Sequence, residues 1–275
     1  MKKEYFQELI NKIKIEFQLK DLVKAKKLSI RLTKEFEDQS SAWKVLGIIL
    51  KEKKELNSAI TAIKKAIKLN PKDIELYYSL AILFEMIGKF EESKSIYEKA
   101  IQFKPNYAEA YNNLGILYKK MKEYNDSEFN YKKAIHLKHD YAEAYNNLGI
   151  LYMETGKFDD SIKFLKKAID INPNLYQAYF NLGLSLENLI NYEEAIKNLK
   201  SATEIKKDYA EAFCDLGRLY KVIGKFSESE TYLKKAIELK KDYADAFDNL
   251  SSLYLIQNKF KKAFELSEWR WETSQ

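Results

Sequence analysis

One twelve-residue segment occurs twice in this chain, and the distance between its two copies restricts the fold more than any other feature. The segment YAEAYNNLGILY spans residues 107–118 and recurs at residues 141–152, an offset of 34 residues. Continued in both directions, this period divides residues 6–275 into eight units with no insertion. A chain built from equal short units folds by stacking them, because one unit cannot bury its apolar face alone. The units are residues 6–39, 40–73, 74–107, 108–141, 142–175, 176–209, 210–243 and 244–275.

The glycines and prolines follow the same period. All eight glycines fall at unit position 8 or 15, and all three prolines fall at position 32. A small residue lets two helices approach closely, glycine suits a tight turn, and proline ends a helix because it lacks an N–H group. Each unit is therefore predicted to be a helix, a short turn and a second helix. The residues are Gly47, Gly115, Gly149, Gly183 and Gly217 at position 8, Gly88, Gly156 and Gly224 at position 15, and Pro71, Pro105 and Pro173 at position 32.

The apolar residues of each unit support this prediction. In residues 108–141, Tyr111, Leu114 and Tyr118 recur at helical spacing before the turn, and a second amphipathic stretch follows it. The pattern resembles the tetratricopeptide repeat (TPR) family, whose unit has this length. The resemblance implies an all-α fold, an α–α superhelix (TPR solenoid) of about eight helix–turn–helix repeats. We expect residues 1–275 to form a single solenoid domain, with the less regular first unit as its N-terminal cap.

The resemblance also implies where such a chain would act. In TPR proteins the first helices line a concave groove that binds a protein or an extended peptide, so a peptide-binding groove is expected here. The expected groove residues are Asn113, Asn147, Asn181 and Asn249 with Asp215 at unit position 6, Asn112 and Asn146 at position 5, and Ile82, Ile116, Ile150 and Leu184 at position 9.

Two interpretations of the asparagines stay open. An Asn amide offers a donor and an acceptor, so a column of them could hold the backbone of an extended segment without reading its sequence. This would be similar to the asparagine ladder of O-linked N-acetylglucosamine transferases. Alternatively, the amides hydrogen-bond neighbouring groups of the chain and stabilise the stacking of repeats.

The C-terminal unit departs from the period. Arg270 stands where the six preceding units carry alanine, and Trp269 and Trp271 flank it. The two tryptophans could form a docking surface for a partner or a second copy, or they could cap the end of the core. The segment FKKAFELSEWRWE is similar to the end of repeat regions that continue into a glycosyltransferase-like domain. As an alternative function, the chain would be the substrate-recruiting arm of such a protein, whose catalytic domain lies outside these residues.

The remaining composition favours a binding protein over an enzyme. Every glycine is accounted for by the period, which leaves no glycine-rich phosphate loop, and Cys214 has no histidine in its unit. We therefore predict no catalytic residue, no metal and no cofactor, and we expect the Cys214 thiol to be solvated or half-buried. The chain carries 47 Lys and Arg against 41 Asp and Glu. Since only three of the basic residues are arginine, the excess indicates solvated helix faces, not nucleic-acid binding. The sequence also predicts no membrane span and a cytoplasmic location.

Overall fold

A computed structural model describes the backbone of residues 2–272 and the side chains of residues 2–266. Within residues 2–272 the chain forms sixteen α-helices and no strand, which confirms the predicted all-α helical-repeat class. No helix in this range is long and apolar enough to cross a membrane. The helices are α1 (Lys2–Gln18), α2 (Leu22–Glu35), α3 (Ser40–Glu52), α4 (Leu56–Leu69), α5 (Ile74–Met86), α6 (Phe90–Phe103), α7 (Ala108–Lys120), α8 (Tyr124–Leu137), α9 (Ala142–Glu154), α10 (Phe158–Ile171), α11 (Tyr176–Asn188), α12 (Tyr192–Ile205), α13 (Ala210–Val222), α14 (Phe226–Leu239), α15 (Ala244–Ile256) and α16 (Phe260–Glu272).

The helix boundaries repeat with the period of the sequence. From α3 onward, each odd-numbered helix begins at the first residue of a predicted unit. The turn that follows contains one residue with positive φ, as predicted for position 15. A left-handed residue there lets the chain reverse within a few residues and satisfies the last carbonyl groups of the helix. The residues are Lys20, Lys54, Gly88, Lys122, Gly156, Ile190, Gly224 and Asn258.

The glycines at position 8 allow the two helices of a repeat to touch. A Cβ atom built on Gly149 would lie 2.6 Å from Cγ of Leu165, far inside van der Waals contact. In another repeat the Ser127 hydroxyl donates a hydrogen bond of 2.8 Å to the Gly115 carbonyl, so the helix backbones themselves are in reach of a short side chain. The predicted close approach at position 8 is confirmed.

The alanines at position 27 mark the stacking of one repeat on the next. Each of them is 0 % exposed, so a larger side chain would separate the helices that enclose it. They are Ala66, Ala100, Ala134, Ala168, Ala202 and Ala236.

The chain divides into two compact units, residues 1–138 and residues 139–275. The first unit holds α1–α8, and its core clusters centre on leucines such as Leu32 and Leu83 and on the fully buried Tyr97. The second unit holds α9–α16, with core clusters around Leu199 and Leu233. The single solenoid domain expected across the whole chain stays a prediction.

The contact at position 8 gives a test of the packing. Gly149→Val should lower the free energy of unfolding by about 1–3 kcal/mol, because the added methyl groups overlap Leu165. In a Leu165→Ala background the same change should cost less, since the shortened side chain leaves room for it. Urea unfolding of the four proteins of this cycle measures the coupling. Equal costs in the two backgrounds would contradict the packing described here.

Candidate functional site

The side chains at unit positions 5, 6, 9 and 12 of the odd-numbered helices form what we call the first-helix face. Position 9 follows positions 5 and 6 by four and three residues, and position 12 follows position 9 by three, which places them on one side of each helix. The face is contributed by α1, α3, α5 and α7 in residues 1–138, and by α9, α11, α13 and α15 in residues 139–275. Every predicted groove residue lies at one of these positions, on α5, α7, α9, α11, α13 or α15.

Asn113 lies at the centre of a polar cluster in the first unit. Its amide donates to the Tyr78 hydroxyl at 2.7 Å and is 3.4 Å from the Tyr97 hydroxyl. The buried Asn112 donates to the Asn113 carbonyl oxygen at 3.3 Å. Burial raises the pKa of Tyr78 and of Tyr97, so both hydroxyls are protonated at neutral pH. The amide thus joins α7 to α5 and α6.

Asn181 and Asn146 form a corresponding pair in the second unit. The Asn181 amide donates to the Asn146 carbonyl oxygen at 3.0 Å, and both side chains are buried. The pair links α11 to α9. The half-buried Asn147 lies beside Asn146 on α9. Since a buried amide needs a hydrogen-bond partner, this arrangement contributes to stacking whether or not a ligand is bound.

Asn249, the last of the predicted amides, is half-buried. It donates to the backbone carbonyl of Asp245 at 2.9 Å and accepts a hydrogen bond of 3.0 Å from the Lys221 ammonium group. Lys221 also donates to the Ser252 hydroxyl at 2.6 Å. A partner backbone would have to replace such bonds, as it would at Asn113 and Asn181. The asparagine ladder stays a prediction.

The predicted apolar residues are half-buried, and two of them line cavities of the first unit. One cavity of about 290 Å³ lies between Ile48, Tyr78 and Ile82. The next, of about 250 Å³, lies between Ile82, Asn113 and Ile116. Each is large enough for one apolar side chain of a partner. In the second unit, Ile150 and Leu184 occupy the same repeat position.

At position 9 the face changes from apolar to charged at Arg218. Its guanidinium group pairs with both carboxylate oxygens of Glu187 and donates to Asp215 at 2.8 Å. Burial raises the pKa of Asp215, and Arg218 opposes that rise. Asp215 holds the amide position in this repeat, and its carboxylate is engaged by an arginine of its own helix.

The sequence interpretation missed Tyr78, Glu187 and Lys221. The two charged residues had a detectable signal, because position 12 alternates in sign through Lys51, Glu85 and Lys119, and again through Glu187 and Lys221. Such alternation points to interactions between neighbouring repeats. Glu187 does pair with Arg218 of the next repeat, while Lys221 bonds to Asn249 and Ser252. Tyr78 had no such signal, since its hydroxyl meets Asn113 across 35 residues of sequence.

Cys214 is buried, 4 % exposed, and not solvated or half-buried as expected from the sequence. It lies on α13 in the core cluster with Leu233 and Leu250. Burial raises the pKa of the thiol to about 11, so the thiolate needed for nucleophilic attack is scarce at neutral pH.

The predicted docking residues Trp269 and Trp271 belong to α16, but their side chains lie outside the described residues. Both interpretations of these tryptophans therefore stay predictions.

Family models of the tetratricopeptide repeat match most of the chain. The matched stretches overlap or adjoin one another from residue 47 to residue 243. They describe the repeat in general and show no specific similarity to O-GlcNAc transferases. The comparison with curated proteins finds no significant match. In chain order, the matched residues are 47–88, 87–122, 108–141, 142–175, 164–197, 191–224 and 210–243.

Three solved structures illustrate the structural similarity. A tetratricopeptide repeat protein from Parabacteroides merdae has a TM-score of 0.70 at 18 % identity, with 92 % of this chain and 99 % of that chain covered. The anaphase-promoting complex hetero-tetramer Cut9–Hcn1 has a TM-score of 0.69 at 17 % identity, covering 82 % of this chain and 45 % of that chain. YrrB, described as a TPR protein with an unusual peptide-binding site, has a TM-score of 0.52 at 25 % identity, covering 67 % and 95 %.

The charged part of the face yields a pH-dependent prediction. Arg218→Leu should lower the free energy of unfolding at pH 7 by about 1–3 kcal/mol, because it leaves the Asp215 carboxylate without its cation. In this variant the folded-state pKa of Asp215 lies still further above its unfolded value. The contribution of Asp215 to the stability of the variant should therefore be most favourable below the unfolded pKa and be lost as pH rises through the folded pKa, so the deficit relative to the native chain should grow with pH.

The control is the double variant Arg218→Leu, Asp215→Asn, which reproduces the Asn181 and Leu184 pair of the preceding repeat. It should recover part of the stability at pH 7 and show a weaker pH dependence. Thermal unfolding between pH 4 and pH 8 measures both effects. A loss for Arg218→Leu that does not change with pH would contradict the ion-pair explanation.

Proposed function

We propose that this chain, which belongs to the tetratricopeptide repeat family, is a non-enzymatic scaffold that binds an extended protein segment on its first-helix face. Tetratricopeptide repeats generally mediate protein–protein interactions, and the similar YrrB is described as having a peptide-binding site. The observation that carries the proposal is that half-buried apolar side chains recur beside amides in three consecutive repeats of this face, at Ile116, Ile150 and Leu184.

The apolar cavities would supply contacts for partner side chains. The cavity at Ile48, Tyr78 and Ile82 and the cavity at Ile82, Asn113 and Ile116 share one isoleucine, so they lie side by side. An extended segment alternates its side chains between two sides, so residues of one side can enter successive cavities. Burial of each apolar side chain would contribute roughly 1.5–3 kcal/mol before the cost of ordering the segment.

The amides would hold the partner's backbone. Asn113 and Asn181 already use their donors within the fold, so binding would exchange one hydrogen bond for another and add little net free energy. Such an exchange would fix the register of the bound segment and contribute little to its affinity. Within residues 139–275, Arg218 follows Leu184 at unit position 9 and pairs with Glu187 and Asp215, so the apolar side chains at this position end there.

The alternative of a recruiting arm for a glycosyltransferase-like protein gains no support from the comparisons, which match the repeat in general. It remains a prediction.

A matched pair of variants on one repeat tests the binding face. A peptide is first selected against the native chain from a random display library. Ile116→Glu should weaken binding of that peptide about tenfold or more, because it places a charge in an apolar contact. Phe129→Glu is the control: Phe129 is 64 % exposed on the second helix of the same repeat. Fluorescence anisotropy measures both affinities.

The amide ladder is tested on the peptide instead of the protein, which avoids disturbing the stacking. Single N-methyl groups placed along the peptide backbone remove one donor at a time. If amides hold the backbone, methylation should weaken binding at some positions and leave others unchanged. Uniform tolerance of N-methylation would reject the ladder, and an equal loss for Ile116→Glu and Phe129→Glu would reject the first-helix face.

A further inference from the structure

Exposed aliphatic side chains recur at the turns inside the last three repeats. Leu189 and Ile190 are 43 % and 72 % exposed, Val222 and Ile223 are 53 % and 37 % exposed, and Ile256 is 56 % exposed. We call these five residues the turn stripe. They end α11, α13 and α15 or follow directly after them. The turn stripe therefore runs across three successive repeats, beside the first-helix face and separate from the residues proposed above to bind a peptide.

Ile190 is the unusual member of the stripe. It adopts φ +62°, the left-handed region that β-branched residues rarely occupy. The conformation is held by hydrogen bonds from the Ile190 N–H to the Glu187 carbonyl at 2.8 Å and from the Asn191 N–H to the Leu186 carbonyl at 3.0 Å. In the other described turns this position is Gly, Lys or Asn. Ile190 is thus strained and yet packs against little of its own chain, a combination typical of a residue retained for binding.

The turns of the other repeats lack this pattern. In residues 139–175 the turn consists of Thr155 and Gly156, and in the first unit Lys53 with Lys54 occupies the same positions in one repeat. Exposed apolar residues occur there as well, at Leu19 and at Met86, but not in successive turns. The stripe is therefore a feature of the last three repeats and not of the repeat as such.

Exposed charges beside the stripe change sign along it. Glu193 and Glu194 follow Ile190, whereas Lys259, Lys261 and Lys262 follow Ile256. The middle repeat carries Lys225 and Glu228 and is balanced. A ligand that lies along the stripe would match these charges with basic residues at one end and acidic residues at the other. An anionic lipid surface fits less well, because Glu193 and Glu194 would repel it beside the most exposed apolar residue.

We propose that the turn stripe binds an amphipathic α-helix of a partner protein. The acidic end of this helix lies over Lys259, Lys261 and Lys262, and its basic end lies over Glu193 and Glu194. Packed helices are about 8–10 Å apart, so each repeat corresponds to about five to seven residues of a helix that rises 1.5 Å per residue. One apolar residue or pair in every two turns of the ligand helix then contacts each inter-helix turn that carries the stripe. Acidic residues at the N-terminus and basic residues at the C-terminus also suit the dipole of such a helix.

The test uses a synthetic peptide of about 21 residues with leucines on one helical face, glutamates in its first turns and lysines in its last. Fluorescence anisotropy should detect binding to the native chain at or below about 100 µM peptide. A peptide with the same leucines and reversed charges should bind several-fold more weakly. The double variant Leu189→Ser, Ile190→Asn should weaken binding about tenfold.

Stability separates a binding role from a structural one. Ile190→Asn alone should raise the Tm by about 2–4 °C, because Asn tolerates the left-handed conformation, while binding of the peptide falls. Lys122→Asn is the matched control, since Lys122 has φ +62° in a turn outside the stripe. It should leave peptide binding unchanged. A lower Tm for Ile190→Asn together with weaker binding would overturn the proposal, because the loss would then follow from misfolding.

Other outcomes also decide the matter. The Ile116→Glu variant should bind the helical peptide like the native chain; if it does not, the peptide occupies the first-helix face and the turn stripe is not its site. Absence of binding to the native chain overturns the proposal. Sedimentation of the native chain, but not of the double variant, with phosphatidylserine vesicles would assign the stripe to a lipid surface instead. Self-association lost in the double variant would assign it to a second copy of the chain.

Discussion

The fold depends on the contact between the first and second helix of each repeat at unit position 8. Where this position is glycine, as at Gly149, the facing leucine approaches so closely that a single methyl group would overlap it. Serine hydroxyls such as that of Ser127 then reach the opposite backbone and close the contact with a hydrogen bond. This close approach sets the angle and spacing of the helical hairpin. The fully buried alanines at position 27 do the same for the stacking of hairpins. The hairpins set the spacing of the side chains on the first-helix face. These two small-residue contacts therefore position those side chains.

Much of this architecture could be predicted from the sequence. Glycine, proline and alanine restrict backbone conformation and helix packing by steric effects that do not depend on the exact neighbours of each residue. The start of each odd-numbered helix from α3 onward and the turn at position 15 were predicted for that reason. The hydrogen bonds of the face were not. Asn113 donates to Tyr78 and Asn181 donates to Asn146, in each case across 35 residues of sequence. Whether an Asn amide is free or hydrogen-bonded depends on how two repeats are positioned relative to each other. The period alone does not give this position. The burial of Cys214 was missed for the same reason, because its surroundings come largely from the following repeat.

The bonded amides change how a binding face of this kind should be understood. A polar group that already has a partner is satisfied without a ligand, so the face stays folded and specific in its absence. The backbone of a ligand would then compete with tyrosine and asparagine side chains, as well as with water, for hydrogen bonds to the amides. In the proposed function, affinity would come mainly from the apolar cavities around Ile82, and the amides would act on alignment. At Arg218 one guanidinium group pairs with two carboxylates of the chain, so that part of the face is charged and suits a neutral backbone less well. The binding site and the charged cluster thus follow from substitutions at two positions of one repeated helix.

The regular spacing of helix starts has a consequence for how the chain can change over generations. Residues 107–118 and 141–152 are identical, so unequal crossing-over between the corresponding gene segments would add or remove one complete hairpin. The new junction would join the same positions that were joined before, with small residues again facing their usual partners. Length can therefore vary in whole modules at little cost to folding, while an insertion of a few codons inside a hairpin would misalign every later contact. A lineage can in this way lengthen or shorten its recognition surface without first inventing new packing.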